Sequence, residues 1–251
     1  MSAWREAFRM MRMQLVFEIW IGTLVLVVLG VLWLQIPDSH VWEFVFSILF
    51  ACGFVALSFW CCSWVFKRML KPIEEERWWL QWILLATVVV AGWLLQMPID
   101  RLVEHRELYA GYWTSRLPHW LRWLRTYEHL VILQEWVYFS LRLIVVGLLL
   151  PVAVVAGASR IRGNARRIFG LWTKWWYWVA ALVCGWIAFA LSGKLMNWTP
   201  GHSLMSEILS LLVRLGVVFT LDVLLVCFVL AVIVVGLRRD SSAQIPERSL
   251  D

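Results

Sequence analysis

Three ionisable residues of this sequence lie deep inside long apolar stretches, where a charged side chain needs a partner. They are Arg142, Arg214 and Asp222. A carboxyl group that is shielded from water either binds a proton or a cation, or forms an ion pair with a base. These residue types therefore allow a proton or cation relay, or a set of ion pairs that holds helices together.

Both arginines follow a glutamate at the same spacing. Glu135 stands seven residues before Arg142, and Glu207 stands seven residues before Arg214. Seven residues are about two helical turns, or ~10.5 Å of rise on one face, so a pair within one helix would be stretched. Pairing between the two helices avoids this, because Arg142 would then meet Glu207. In the same way Arg214 would meet Glu135. We predict a polar cluster between these two helices, with Asp222 either as a protonated carboxyl or as the partner of Arg142.

The composition identifies the class of protein that holds these residues. Of the 251 residues, 62% are hydrophobic and 16% are charged, against about 25% charged in an average soluble domain. A soluble domain of this size could not bury so much apolar surface, which excludes a soluble enzyme and a disordered chain. Five cysteines are too few for a disulfide scaffold. The sequence predicts an integral membrane protein, and basic residues that flank spans explain the net charge of +6 without nucleic acid.

Six apolar stretches are long enough to cross the ~30 Å hydrocarbon core as helices, which takes roughly 20 residues each. They are residues 15–36, 42–66, 79–97, 131–156, 171–193 and 207–237. The predicted fold class is therefore all-α, a polytopic membrane protein with six transmembrane helices. Consecutive spans pair into three hairpins within a membrane domain of residues 15–237.

The distribution of basic residues predicts the orientation. Of 23 lysines and arginines, 14 lie on one side, in segments 1–14, 67–78, 157–170 and 238–251, and six lie on the other side. Basic residues concentrate in cytoplasmic segments, so we expect both termini in the cytoplasm and residues 238–251 to form a tail. The first apolar stretch is too long for a signal peptide, and we expect it to be retained. Since no organelle-targeting segment stands before it, we expect a bacterial inner membrane.

The hairpins share features that suggest a repeat. The odd-numbered spans end near Pro37, Pro98 and Pro200, where a helix can stop without losing a buried hydrogen bond. The fourth and sixth spans share the glutamate, the arginine and a following Val-Val at equal spacing. Chance similarity among apolar helices is the alternative. Pro151 in the fourth span predicts a kink that frees a backbone carbonyl.

Residues 101–130 form an insertion on the outer side. Within it Trp120, Trp123 and Tyr127 fall on one face of a helix and basic side chains fall on the other. We predict an amphipathic helix that lies flat in the outer headgroup layer, or one that packs on another subunit. Residues 1–14 show a similar pattern, which predicts a short helix on the cytoplasmic surface.

Sequence motifs for catalysis are missing from the chain. It has no metal-binding histidine spacing, no intramembrane protease motif and no nucleotide fingerprint. We therefore expect no enzyme activity, no cofactor and no metal, although an intramembrane enzyme of another type is a third, less supported hypothesis. The first hypothesis is a permease-like component or a subunit of a membrane complex, in which the polar cluster lines a path or fixes helix packing. The second is a scaffold or assembly factor that binds a protein through the outer insertion. The expected partners are the lipid bilayer and either another protein or a second copy, but no nucleic acid.

Overall fold

The computed structural model describes residues 3–36, 40–70, 77–116, 118, 126–158, 161–197 and 204–242. In this part of the chain 94% of the residues are helical, and no strand occurs. The helices are α1 (Ala3–Met10), α2 (Met13–Leu34), α3 (Val41–Leu70), α4 (Trp78–Glu104), α5 (Arg106–Arg116), α6 (Tyr127–Ala158), α7 (Ile161–Trp172), α8 (Trp175–Met196) and α9 (Leu204–Ser242). Six of them, α2, α3, α4, α6, α8 and α9, are long and apolar enough to cross a membrane. The predicted all-α class with six such helices is confirmed.

Pro98 lies inside α4, and the prediction that it ends this helix is wrong. The helix continues to Glu104. A proline removes one backbone hydrogen bond, but it does not stop a helix whose next turn is held by other contacts. Here Ile99 is buried and Asp100 forms an ion pair with Arg142, so the turn after the proline is anchored on both sides.

The described residues of the predicted outer insertion, 101–130, divide among three helices. Its first residues belong to α4, its middle forms α5, and Tyr127 begins α6. Helix α5 was not predicted from the sequence; it packs on α6, and its Ala110 is fully buried. Four other residues of the predictions lie outside the described part of the chain, namely Pro37, Trp120, Trp123 and Pro200.

Two long helices organise the packing. Helix α6 contacts α3, α4, α5, α7 and α8, and α9 contacts α1, α2, α3, α7 and α8. Helix α8 packs on both α6 and α9, and these two helices have little backbone contact of their own. The consequence is that the fourth and sixth predicted spans are separated by the fifth.

The buried core lies at one end of the bundle, which we call the α1 end. It is built from residues 154–158 of α6 and 229–237 of α9, with Ala3 and Ala7 of α1 packed against it. Arg239 of α9 binds Glu6 of α1 at 2.9 Å, so the two ends of the described chain meet there. Towards the opposite end, where α5 lies, most side chains of the long helices are exposed or half-buried.

Candidate functional site

Helices α4 and α5 follow α6 in one antiparallel register. A Cβ atom on Gly92 of α4 would lie 3.1 Å from the side chain of Leu149 of α6, which shows how closely the two helices pack. The same register places residues 100–106 of α4 and α5 beside residues 135–142 of α6. Charged residues that the sequence analysis assigned to an outer segment therefore lie against α6.

Two ion pairs of opposite polarity join these segments. Arg142 Nη2 lies 2.5 Å from Asp100 Oδ1, and Arg106 Nη1 lies 2.8 Å from Glu135 Oε1. Glu135 and Arg142 occupy one face of α6 two turns apart, as the spacing predicts. Each charge on that face thus meets an opposite charge from the α4–α5 segment, and the pairs fix the register of this segment on α6.

The predicted polar cluster between the fourth and sixth spans is not formed by the described residues. The physical reason is the position of α8 between α6 and α9. Gly185 of α8 is so close to α6 that an added Cβ would lie 2.5 Å from the side chain of Leu143. A small residue at this contact lets the backbones of α6 and α8 approach closely.

Arg214 of α9 caps the end of α8 instead of meeting Glu135. Its side chain is 8% exposed. Its Nη1 group donates to the carbonyls of Leu195 and Met196 at 3.3 and 3.5 Å, and its Nε group donates to Ser210 at 3.1 Å. The last carbonyls of a helix lack intrahelical donors and carry the negative end of the helix dipole. A guanidinium group supplies hydrogen-bond donors and a positive charge, so it stabilises this end in both respects.

The same arrangement recurs at two other helix ends. Arg238 of α9 donates to the carbonyls of Met69 and Leu70 at 2.6 and 3.5 Å, where α3 ends. The indole N–H of Trp178 donates at 2.8 Å to the carbonyl of Trp172, the last residue of α7. At each of these ends a donor from another helix satisfies a carbonyl that has no intrahelical partner.

Pro151 supplies a further unpaired carbonyl, as the sequence predicts. Because proline has no N–H group, the carbonyl of Gly147, four residues earlier in α6, has no intrahelical donor. The hydroxyl group of Tyr177 in α8 donates to that carbonyl. Tyr177 is fully buried, and the contact joins α6 to α8 near the middle of α6.

Asp222 lies at the border between the packed core and the open half of the bundle. Val229 and Ile233, on the same face of α9 towards the α1 end, are buried, while Leu215 on that face in the other direction is 54% exposed. The side chain of Asp222 is half-buried and makes no hydrogen bond or ion pair within the described ranges. The prediction that it pairs with Arg142 is therefore wrong for this structure, because Arg142 is bound to Asp100.

Glu207 stands in the first turn of α9 and is exposed. A carboxylate is stable there because it opposes the dipole of the helix. As with Asp222, no hydrogen bond or ion pair of this side chain occurs in the part of the chain that the structure describes.

Comparisons with protein-family models, with curated proteins and with solved structures found no match to this chain. Among the described residues, no group of three or more His, Cys, Asp and Glu side chains could hold a metal ion.

Proposed function

We propose that this protein is a non-enzymatic component of a membrane assembly, in which the charged residues of the long helices fix helix packing. The single observation that carries the proposal is that charged side chains of α6 and α9 bind other helices of the same chain. Arg142 and Glu135 bind α4 and α5, and Arg214 caps α8. Each of these three charges already has a partner in another helix of the chain, so a structural role explains these residues best.

The exposed helices support a role in an assembly. Within the most apolar 18 residues of α2, and likewise of α3, no residue is buried. In α9, 44% of the corresponding 18 residues are buried. Lipid or the helices of a partner would cover such surfaces in a bilayer. We propose that the α1 end lies in the cytoplasm, because the basic segments flank the helix ends found there.

The test is the mass of the protein in its native lipids. Polymer-bounded bilayer discs extracted from the membrane would be analysed by native mass spectrometry. We expect particles that contain more protein than one 29.4 kDa chain. Discs that hold a single chain and no other protein would contradict the proposal.

A second candidate function, binding of a proton or a cation by Asp222, is supported by the lack of a partner for this carboxyl in the described ranges. An ionisable group in a spanning helix is costly unless it is paired or serves a function. The test is flux of protons or alkali cations into vesicles that contain the purified protein. Asp222→Asn should abolish the flux, and the control Asp100→Asn should keep it. Vesicles with the wild-type protein that leak no faster than empty ones would exclude this candidate.

A further inference from the structure

The corresponding faces of α6 and α9 differ in what covers them. On α6, Glu135 is bound by Arg106 of α5 at 2.8 Å. On α9, Glu207 occupies the corresponding place, seven residues before an arginine, and it has no ion pair with any described residue. A surface of the kind that binds α5 is therefore present a second time, without a helix on it among the described residues.

The start of α9 is apolar as well as acidic. Glu207, Ile208, Leu211 and Leu215, which we call the α9 surface, share one face of the helix. The three aliphatic side chains are 47%, 45% and 54% exposed. An apolar surface with one carboxylate suits an amphipathic helix that carries one base.

Helix α5 has a free face of that kind. Ala110 faces α6 and is fully buried, whereas Leu108 and Tyr112 on the opposite side are 72% and 54% exposed. Arg116 continues this face one turn further, and its guanidinium carbon lies 5.4 Å from the centre of the Tyr112 ring. We call Leu108, Tyr112 and Arg116 the α5 surface. It offers apolar contact and one positive charge, which complements the α9 surface.

We propose that copies of this chain associate by packing the α9 surface of one copy on the α5 surface of the next, with Glu207 paired to Arg116. Within one chain α5 and α9 do not pack on each other. The two surfaces are different, so the contact is head-to-tail and repeats from copy to copy, which produces a ring or an open row. The inference rests on the proposed function, for which it names a second copy as the partner.

Charge reversal tests this contact. Glu207→Arg alone places two bases at the contact, and Arg116→Glu alone places two acids there. Each variant should weaken association at least about tenfold, measured as the protein concentration at which half of the chains in bilayer discs are assembled. The chain that carries both changes should associate like the wild type. Glu107→Arg is the matched control, since this exposed acid of α5 lies off the α5 surface, and it should change nothing.

A mixture of the two single variants gives the sharpest result. In a row where the two variants alternate, every second contact keeps the original pair of Glu207 and Arg116. Each contact between them joins the arginine at position 207 to the glutamate at position 116. The mixture should therefore assemble, although neither variant does so alone. Assembly of the wild type that neither reversal weakens would overturn this contact and leave the proposed function standing. Single chains that are found together with a different protein would also overturn the contact but not the proposed function. Single chains without any other protein would overturn both.

Discussion

Replacing Tyr177 by Phe should destabilise the protein through the backbone of another helix. The change removes one hydroxyl group from a fully buried ring and leaves the rest of the ring in place. The carbonyl of Gly147 loses the donor that compensates for Pro151. A buried acceptor without a donor costs about 1–3 kcal/mol, and side-chain hydrogen bonds within membranes reach at most about 1.7 kcal/mol. We expect the free energy of unfolding to fall by about 1–2 kcal/mol.

The proline makes this prediction specific. In a Pro151→Ala variant the new N–H group can donate to the carbonyl of Gly147, as in an uninterrupted helix. Tyr177→Phe should then cost less than about 0.5 kcal/mol, since the carbonyl keeps a donor. The two changes should therefore be coupled by about 1 kcal/mol in a double-mutant cycle, in which effects of Pro151→Ala on packing cancel.

Unfolding in mixed micelles with increasing SDS measures these free energies, and the 20 tryptophans provide the fluorescence signal. Tyr138→Phe is the control, because Tyr138 is a half-buried tyrosine of α6 without a hydrogen bond to the described residues. Its effect should be equal in both backgrounds. If Tyr177→Phe lowers the free energy of unfolding equally with proline and with alanine at position 151, the hydroxyl group does not act by compensating for the proline.

Three further predictions concern helix packing. Reversal of Asp100 or Arg142 alone should lower the free energy of unfolding by about 1 kcal/mol, and exchange of both should restore it; SDS titration measures this. Gly157→Ala should cost about 1–3 kcal/mol, because the new Cβ would lie 2.6 Å from a buried phenylalanine ring of α3. Gly53→Ala, with nothing within 4 Å, should instead stabilise α3 by up to about 1 kcal/mol in the same assay. Ala7→Leu should displace α1 from the core, because Ala7 is fully buried; trypsin should then cleave the loosened helix after its exposed residues Arg5 and Arg9, whereas the docked helix of the wild type should resist cleavage.

The spanning helices were predictable from the sequence because hydropathy acts along the chain. Each predicted apolar stretch overlaps one long helix, and the bounds differ mainly where polar residues continue a helix. Helix α9 runs from Leu204 to Ser242, beyond both ends of the predicted stretch 207–237. Such extensions depend on what the extra turns contact, which local composition does not encode.

The partners of the charges were not predictable, because they depend on the order of the helices around the bundle. The spacing correctly placed Glu135 and Arg142 on one face of α6, but it could not show which helix covers that face. Asp100 and Arg106 escaped attention because α4 was expected to end at Pro98. The sequence does contain a matching pattern. Asp100 and Arg106 are six residues apart, and Glu135 and Arg142, in the antiparallel helix, are seven residues apart.

The tryptophans show the same limit. Their enrichment near span ends predicts amphipathic contacts at the membrane boundary. In the structure the N–H group of Trp33 donates to the hydroxyl and carbonyl oxygens of Ser47 in α3 at 3.0 and 3.2 Å, and that of Trp4 donates to the carbonyl of Trp176 in α8 at 3.4 Å. The residue type predicts the need for an acceptor, but only the packing decides which carbonyl supplies it.

Donors and acceptors separate Asp222 from the two arginines. Helices in apolar surroundings have unpaired carbonyls at their ends and beside prolines, and arginine, tryptophan and tyrosine side chains can satisfy them. An ionised carboxylate only accepts hydrogen bonds, so it cannot serve this purpose and itself requires a donor. Asp222 has none among the described residues. A proton, a cation or a base from another chain would provide it. Asparagine at this position is neutral and carries no charge that needs an external partner, so Asp222→Asn should keep or raise the stability of the isolated protein, while any function that needs a proton or a cation bound at Asp222 should be lost.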